Sequence, residues 1–230
     1  MKTVAVVPSA GIGTRIKSRT AKPYIELAGK PILAHTLEAL NNTSCIDEII
    51  VAVDKASKIK AASLAKKYKI KKLKKVVCGG ATRFDSVSNC LKELGDDVGY
   101  VVIHDGVRPF ITENIIKKAI KVAKKTGACV VGVPLVPTAK KIDKNLKVVF
   151  TPSRKELWAA QTPQVFKKSI IVKAYKSAKN NGTIPTDDSM LVELLGKPVK
   201  MVMGSEYNIK ITTPLDLELA NLLIKKKLVK

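Results

Sequence analysis

Two cations and two glycines lie close together in the first loop of the sequence. Gly11 and Gly13 follow a short β-branched run, and glycine lets the backbone approach a ligand, so that the amides of residues 9–13 face phosphate oxygens. Arg15 and Lys22 lie in the same loop, and their charges match a nucleoside triphosphate. The glycine spacing alone also fits an ordinary strand-to-helix turn, so the two cations are what favour a phosphate site.

A second loop, 104–110, brings a carboxylate and a guanidinium to the end of a predicted buried strand. Ligands of open α/β sheets bind at the carboxyl ends of strands, and Asp105 there is placed to hold Mg²⁺, which prefers carboxylate and phosphate oxygens. An aspartate at this position is also typical of a turn or a helix cap. Arg108 stands beside Pro109 and favours an anion contact, whereas we interpret His104 as structural.

A third candidate loop, 79–87, also follows a predicted strand. Gly79 and Gly80 permit close approach of a ligand, and Arg83 and Ser86 lie at the start of the next predicted helix. The first turn of a helix presents unpaired amides and a partial positive charge. This loop therefore suits a base or a phosphate group.

The charge of the chain limits the classes of protein that fit. Of 230 residues, 42 are Lys or Arg and 19 are Asp or Glu, which gives a net charge of +23. This charge suits a nucleic-acid-binding module. However, only five of the basic residues are Arg, and aromatic residues at 4% form no stripe that could stack bases. The lysine runs are typical of solvated helix faces, and we expect no nucleic-acid partner.

The cysteines and the apolar pattern argue against two further classes. The four cysteines are scattered without a CxxC pair, which predicts free thiols rather than a zinc site or a disulfide framework. No apolar run approaches the roughly 20 residues that a membrane span needs. The first residues also lack a targeting pattern. We therefore expect a cytoplasmic protein with no membrane partner.

The elements that must position these loops alternate between strand and helix patterns. This alternation predicts one α/β domain over 1–230, with a mostly parallel sheet flanked by helices. The alternation of strands and helices is interrupted at residues 137–160. Two short segments of alternating polarity around Lys144 and Asn145 predict a projecting β-arm there, and such arms often mediate dimerisation. We expect strands at 3–8, 47–54, 100–105, 128–136 and 198–204, and helices at 31–40, 55–68, 83–94, 113–125, 167–180, 187–195 and 213–226.

The chain contains, in this order, the motifs PSAGIGTR, the lysine at position 22, GGATRFDSV, VIHDGVRP, RKELWAAQTPQVF, PTDDSMLVELLG and NIKITTPLDLELA. In order and in spacing, these seven motifs resemble one family over essentially the whole chain. That family is the bacterial 2-C-methyl-D-erythritol 4-phosphate cytidylyltransferases of isoprenoid synthesis. The chain departs from the family pattern at Pro23, Ala81 and Pro137, where the family usually has glutamine, an acidic residue and aspartate.

The resemblance implies a Rossmann-like nucleotidyltransferase that requires CTP and Mg²⁺ and forms a homodimer through its β-arms. It implies that Arg15 and Lys22 stabilise the transition state, while Arg154 and Lys210 position a sugar-alcohol phosphate. The rest of the acceptor site is implied at Thr138, Asp105 and Arg108, with Asp105 also as the metal ligand. The nucleotide pocket is implied at Pro8, Ser9, Ala10, Gly11, Ile12, Gly13, Gly80, Arg83 and Ser86.

The implied reaction needs no general base. A phosphate monoester has a second pKa of about 6, so its oxygen is largely ionised at neutral pH and attacks the α-phosphorus of CTP directly. Fixed cations and a metal then stabilise the charge that develops. An enzyme that uses ribitol 5-phosphate as the acceptor is the nearest alternative, because its signature loops are similar. A basic nucleic-acid-binding module is a remote one.

Overall fold

A seven-stranded mixed sheet organises the computed structural model, which describes residues 1–11 and 21–229. The strands of this sheet lie in the order β11-β7-β10-β6-β1-β4-β5, and two further pairs, β2 with β3 and β8 with β9, form small hairpins. The strands are β1 (Lys2–Pro8), β2 (Glu26–Leu27), β3 (Lys30–Pro31), β4 (Glu48–Val53), β5 (Leu73–Cys78), β6 (Val98–Ile103), β7 (Ala128–Pro134), β8 (Lys141–Ile142), β9 (Val148–Phe150), β10 (Trp158–Lys167) and β11 (Lys200–Met203).

Helices cover both faces of this sheet. One apolar cluster joins the sheet to α1, α2 and α4, and a second joins its other face to α3, α5 and α6. No helix in the described part of the chain is long and apolar enough to cross a membrane. The helices are α1 (Ile32–Asn41), α2 (Lys58–Lys67), α3 (Arg83–Leu91), α4 (Glu113–Thr126), α5 (Lys168–Asn180), α6 (Asp188–Glu193) and α7 (Pro214–Lys225).

The central strands are apolar at almost every position because both of their faces are covered. β1 pairs in parallel with β4 on one side and with β6 on the other, and β5 extends the parallel ladder beyond β4. Their carboxyl ends therefore meet at one edge of the sheet, and the three candidate loops follow β1, β5 and β6. The predicted α/β Rossmann-like fold with a mostly parallel sheet is confirmed.

The sequence pattern did not predict β10, although this strand lies between β6 and β7 inside the sheet. It runs antiparallel to both neighbours. Pro163 obscures the strand in the sequence, because proline is normally excluded from an interior strand. The ladder with β7 changes register between Ala160 and Gln164, and this irregularity accommodates the proline. Residues 158–160 therefore belong to the sheet, so that the arm, predicted over 137–160, ends before Trp158.

A β-hairpin follows β7, as predicted for the arm region. β8 and β9 pair antiparallel around a turn in which the Asp143 amide donates to the Lys147 carbonyl oxygen at 3.0 Å. Leu146 at the turn is 77% exposed. Clustered exposed apolar side chains of this kind are typical of an interaction surface. The exposed apolar residues in and beside the hairpin are Val136, Ile142, Leu146, Val148, Val149 and Phe150.

We predict that Phe166→Ala destabilises the protein by about 3–5 kcal/mol, the usual effect of truncating a buried phenylalanine. Phe166 lies in β10 and is 0% exposed within the cluster that joins the sheet to α3, α5 and α6. Equilibrium urea unfolding measures the change. Lys167→Ala is the matched control, since Lys167 is exposed in the same strand and its truncation should change stability by less than about 0.5 kcal/mol. Equal effects of the two variants would contradict the buried position of β10.

Candidate active site

A cleft of about 350 Å³ opens where the carboxyl ends of β1 and β6 meet the loop after β5. This volume lies in the range of small-molecule sites. The structure brings to it every predicted nucleotide-pocket residue that it describes, together with Lys22, Asp105 and Lys210. Arg15, Ile12 and Gly13 lie outside the described residues. The described lining residues are Pro8, Ser9, Ala10, Gly11, Lys22, Gly80, Ala81, Thr82, Arg83, Ser86, Asp105, Val107 and Lys210.

Glycines allow the loops of the cleft to pack directly on one another. A Cβ atom at Gly106 would lie 1.9 Å from the Ser9 Oγ atom, and one at Gly79 would lie 2.2 Å from the Ala10 Cβ atom. The Ser9 amide donates to the Ala52 carbonyl oxygen at 2.7 Å, which continues the ladder between β1 and β4. The prediction that the Ser9 amide faces phosphate is therefore wrong for this structure, because that amide already has a partner.

The start of α3 is fixed by a capping box. The Thr82 hydroxyl oxygen accepts from the Asp85 amide at 3.1 Å, and the Asp85 carboxylate accepts from the Thr82 amide at 3.0 Å. The Ser86 hydroxyl donates to the Thr82 carbonyl oxygen and accepts from the Gly80 amide at 3.1 Å. The Ser86 hydroxyl, which is buried, thus holds the glycine turn in place. The Thr-x-x-Asp spacing that signals this cap is visible in the sequence.

Arg83 lines the cleft and contacts two carboxylates. Its Nη1 and Nη2 atoms donate to the two carboxylate oxygens of Asp188 at 3.0 and 2.7 Å, and its Nε atom donates to Asp105 at 3.1 Å. Burial alone would lower the pKa of Arg83, but Asp188 and Asp105 raise it above its ordinary value. Asp188 lies in the PTDDSMLVELLG motif but is not among the site residues predicted from the sequence.

Asp105 is the centre of the charged part of the site. One carboxylate oxygen accepts from Arg83, while the other accepts from the Lys210 Nζ atom at 2.9 Å and the Arg108 Nε atom at 3.4 Å. Asp105 is only 5% exposed. Burial would raise the pKa of this carboxyl, but the charges of Arg83, Lys210 and Arg108 outweigh burial and hold the pKa well below its usual value. Asp105 is therefore ionised at neutral pH.

The predicted role of Asp105 as a metal ligand stays a prediction. Its two carboxylate oxygens accept from three cationic side chains, which leaves one of about four acceptor sites of the carboxylate for a metal ion. Over residues 1–11 and 21–229, no group of three or more His, Cys, Asp or Glu side chains is arranged to hold a metal ion. Mg²⁺ bound by a protein usually takes one or two carboxylates together with substrate phosphates.

Arg108 is held from two sides. Burial lowers its pKa, while the nearby Asp105 carboxylate opposes that effect. Its Nη1 atom donates to the Asn208 carbonyl oxygen at 2.7 Å, and the Asn208 side chain donates to the Thr162 carbonyl oxygen at 2.8 Å. Asn208 and Thr162 are both buried. The segment that carries Lys210 is therefore tied to β10, an arrangement that no local sequence pattern indicates.

His104 is structural, as predicted from the sequence. Its Nε2 atom lies 3.1 Å from the Arg108 carbonyl oxygen, which accepts, so the proton is on Nε2. The Nδ1 atom accepts from the Thr162 hydroxyl at 3.0 Å, and the Thr162 oxygen in turn accepts from the Asp105 amide at 3.1 Å. Burial lowers the pKa of His104 to about 4, so the ring is neutral at pH 7.

Lys22 enters the cleft from a short helical turn, Lys22–Tyr24. Pro23 and Tyr24 of this turn are buried, so the two residues that follow Lys22 anchor its backbone. The Tyr24 hydroxyl donates to the Ser57 carbonyl oxygen at 3.3 Å, and the Lys60 Nζ atom lies 4.5 Å from the centre of the Tyr24 ring. The turn is thereby attached to the segment that precedes α2.

Thr138 and Arg154 are not among the residues that line the cleft. Both are exposed and flank the hairpin of the arm. The Arg154 Nη1 atom donates to the Val136 carbonyl oxygen at 3.1 Å, which connects the two ends of the arm. Of the predicted acceptor residues, Arg108 and Lys210 both contact Asp105. Within one chain, the two arm residues stand apart from the lining of the cleft.

A family model described as 2-C-methyl-D-erythritol 4-phosphate cytidylyltransferase matches residues 3–226. A relative of that name from Alkaliphilus metalliredigens is 46% identical over 217 residues, which cover 94% of this chain and 90% of the relative. Another from Syntrophus aciditrophicus is 44% identical and covers 98% of this chain and 97% of its own length.

The fold is also similar to solved structures. The crystal structure of 4-diphosphocytidyl-2C-methyl-D-erythritol synthase from Anaerococcus prevotii superposes with a TM-score of 0.88 at 34% identity. The match covers 97% of this chain and 96% of that one. A 2-C-methyl-D-erythritol 4-phosphate cytidylyltransferase from Thermus thermophilus has a TM-score of 0.80 at 28% identity, over 98% and 100% of the two chains.

We predict that His104 makes the protein less stable as the pH falls from about 6.5 to 4. The unfolded chain takes up a proton at His104 near its ordinary pKa of about 6.5, whereas the folded chain does not until the pH reaches about 4. The free energy of unfolding should lose up to about 3 kcal/mol across this window, and none of this loss should occur above pH 6.5.

Urea unfolding of the wild type and of His104→Gln at several pH values measures this contribution. The variant should lose its steepest dependence between pH 6.5 and 4. His35, whose pKa is also lowered by burial, remains in both proteins, so its contribution cancels in the comparison. Identical pH slopes in the two proteins would contradict the neutral, buried state of His104.

Proposed function

The chain belongs to the 2-C-methyl-D-erythritol 4-phosphate cytidylyltransferase family, and we propose that the cleft around Asp105 is its active site. The protein is a nucleotidyltransferase with the activity of that family, the cytidylylation of 2-C-methyl-D-erythritol 4-phosphate by CTP in isoprenoid biosynthesis. The observation that supports this location for the site is the arrangement of Arg83, Arg108 and Lys210 around one buried carboxylate beside the glycine loops.

The positive charge of this site suits two polyanionic substrates. Arg83, Arg108 and Lys210 contact two carboxylates, Asp105 and Asp188, so cations outnumber anions in the cluster. Lys22 adds a further cation to the lining of the same cleft. In our proposal the nucleotide lies against the loops at 8–13 and 79–86. The acceptor phosphate then lies beside Lys210 and Arg108.

The chemical step needs no proton acceptor from the protein. An ionised phosphate oxygen of the acceptor attacks the α-phosphorus of CTP, a new P–O bond forms, and the bond to the bridging oxygen of the β-phosphate breaks as pyrophosphate leaves. Lys22 and Arg15 offset the negative charge on the α-phosphoryl group. His104 takes no part, because its ring is buried and both of its nitrogens have hydrogen-bond partners.

Nucleotidyltransferases that use CTP generally work with a divalent metal ion, and we propose that Mg²⁺ is the metal here. We assign Asp105 as its protein ligand, because the three cations leave one of about four acceptor sites of this carboxylate. Triphosphate oxygens are themselves suitable ligands for Mg²⁺.

We also propose a homodimer in which the arm of one subunit reaches the acceptor site of the other. The exposed apolar side chains of the hairpin support this proposal, because a dimer would remove them from water. Thr138 and Arg154, at the two ends of the arm, would then contact the sugar phosphate bound by the partner chain. This assignment explains why neither residue lines the cleft of its own chain.

A cytoplasmic location is part of the same proposal. The four cysteines, Cys45, Cys78, Cys90 and Cys129, are free thiols. Free thiols persist in a reducing compartment, whereas secreted proteins tend to form disulfides. CTP and a sugar phosphate are also metabolites that carry several charges, so they do not cross membranes unaided.

We predict that pyrophosphate release requires CTP, 2-C-methyl-D-erythritol 4-phosphate and Mg²⁺ together. EDTA should abolish the reaction and excess Mg²⁺ should restore it. Replacing CTP with UTP or ATP should lower kcat/KM by at least about tenfold, the scale of one unpaired polar group in the base pocket. Ribitol 5-phosphate is the control acceptor. Equal turnover with the other nucleotides, equal turnover with ribitol 5-phosphate, or an unchanged rate in EDTA would contradict the proposal.

We predict that mixing two inactive variants, Lys22→Ala and Arg154→Ala, restores part of the activity. Lys22→Ala should lower kcat by at least about a hundredfold, since one donor that stabilises transition-state charge is lost. In a mixed dimer, one site combines an intact Lys22 with an intact Arg154 from the other chain. If subunit exchange is demonstrated, for instance with two differently tagged chains, and activity does not return, Arg154 does not act across the interface.

A further inference from the structure

Asp188 is a buried carboxylate that no step of the proposed reaction uses. It is the first residue of α6 and is 1% exposed. Arg83 binds both of its oxygens, and the Tyr175 hydroxyl donates to the same oxygen as the Arg83 Nη1 atom. A charge removed from water this completely is destabilising unless it is paired and hydrogen-bonded. The three donors provide that pairing, and they give the Asp188 carboxylate one defined orientation.

Tyr175 links this carboxylate to the start of α3. Its ring stacks on Phe84, with ring centres 4.7 Å apart and planes inclined by 6°. Phe84 directly follows Arg83 in the chain, so the same tyrosine packs on the residue next to Arg83 and donates to the carboxylate that Arg83 binds. Burial and the nearby Asp188 raise the pKa of Tyr175 well above its ordinary value, so its hydroxyl remains a donor at neutral pH.

The guanidinium group of Arg83 transmits this orientation to Asp105. The group is planar and rigid, so fixing its two terminal nitrogens also fixes the direction of Nε. Nε donates to one oxygen of Asp105 at 3.1 Å. The other oxygen is thereby left to Lys210 at 2.9 Å and to Arg108 at 3.4 Å.

We propose that Asp188, together with Tyr175, is a positioning residue for the acceptor substrate. Asp188 holds Arg83, Arg83 orients Asp105, and Asp105 holds the two cations that bind the acceptor phosphate. Arg83 is then a positioning residue rather than a nucleotide ligand. The inference rests on the proposed function, because it takes Lys210 and Arg108 as the phosphate-binding pair. Without the charge of Asp188, Arg83 would compete with Lys210 and Arg108 for both oxygens of Asp105.

The test is the steady-state kinetics of Asp188→Asn, with CTP and the acceptor varied separately. The variant keeps the shape of the side chain and removes its charge. We expect the KM for 2-C-methyl-D-erythritol 4-phosphate to rise by about tenfold or more, the scale of one lost hydrogen bond to a charged group. The KM for CTP should change by less than about twofold, because the loops that hold the nucleotide are intact.

Two further variants refine the result. Asp188→Glu keeps the charge and should recover part of the affinity for the acceptor. Tyr175→Phe removes only the hydroxyl group and should raise the same KM by a smaller factor, about threefold. If Asp188→Asn fails to fold, as judged by circular dichroism and thermal unfolding, Tyr175→Phe decides the question. An unchanged KM for the acceptor in Tyr175→Phe would then contradict the proposal.

Asp187→Asn is the matched control. Asp187 caps α6 by accepting from the Met190 amide at 2.9 Å, and it also accepts from the Gln164 side chain at 2.8 Å. Arg83 donates to Asp188 and Asp105 instead. If Asp188 served only to keep α6 folded, Asp187→Asn would raise the KM for the acceptor as much as Asp188→Asn does. That outcome, or equal changes in both KM values for Asp188→Asn, would overturn the positioning role.

Lys210→Ala shows whether a negative result concerns the role of Asp188 or the location of the acceptor site. If Lys210→Ala raises the KM for the acceptor and Asp188→Asn does not, the positioning role of Asp188 is wrong and the acceptor site stands. If neither variant changes that KM, the assignment of the acceptor phosphate to Lys210 is wrong as well.

Discussion

A single buried carboxylate, Asp105, determines how the charged half of the cleft is built. A carboxylate that is 5% exposed is strongly destabilised unless cations lie close to it, and here Arg83, Arg108 and Lys210 all lie within 3.4 Å. The cations depend on the carboxylate in turn. Arg83, Arg108 and Lys210 repel one another, and Asp105 between them holds them close together. The protein thereby fixes a positively charged surface before any substrate arrives, which is the kind of preorganisation that phosphoryl transfer needs.

The rest of the fold supplies partners for this cluster from distant parts of the chain. The parallel strands β1, β5 and β6 place the glycine loops and Asp105 at one edge of the sheet. The antiparallel strand β10 places Thr162 inside the sheet, where it contacts the segments of His104 and of Asn208. α6 contributes Asp188. Each contact joins the site to a buried element, so the positions of the cations are set by the same packing that stabilises the fold.

The sequence predicted those parts of this architecture that depend on short stretches of neighbouring residues. Gly11 and Gly80 mark loops after apolar strands, and Asp105 follows a buried strand, so their meeting at one sheet edge follows from the parallel topology. β10 was not predictable in this way, since Pro163 and buried polar residues disguise an interior strand. The pairing of Arg83 with Asp188 spans 105 residues. No pattern of spacing indicates such a contact, because only the folded chain brings the two side chains together.

We propose that Asp105 acts by holding the cations that bind the acceptor, and a double-mutant cycle measures this dependence. The cycle compares kcat/KM for 2-C-methyl-D-erythritol 4-phosphate in the wild type, Asp105→Asn, Lys210→Gln and the double variant. Residues in direct contact usually show coupling energies of about 0.5–3 kcal/mol. Our account predicts coupling of at least about 1.5 kcal/mol, because Lys210 loses its position once Asp105 is neutral. Additive effects, with the two single losses summing to the loss in the double variant, would contradict it.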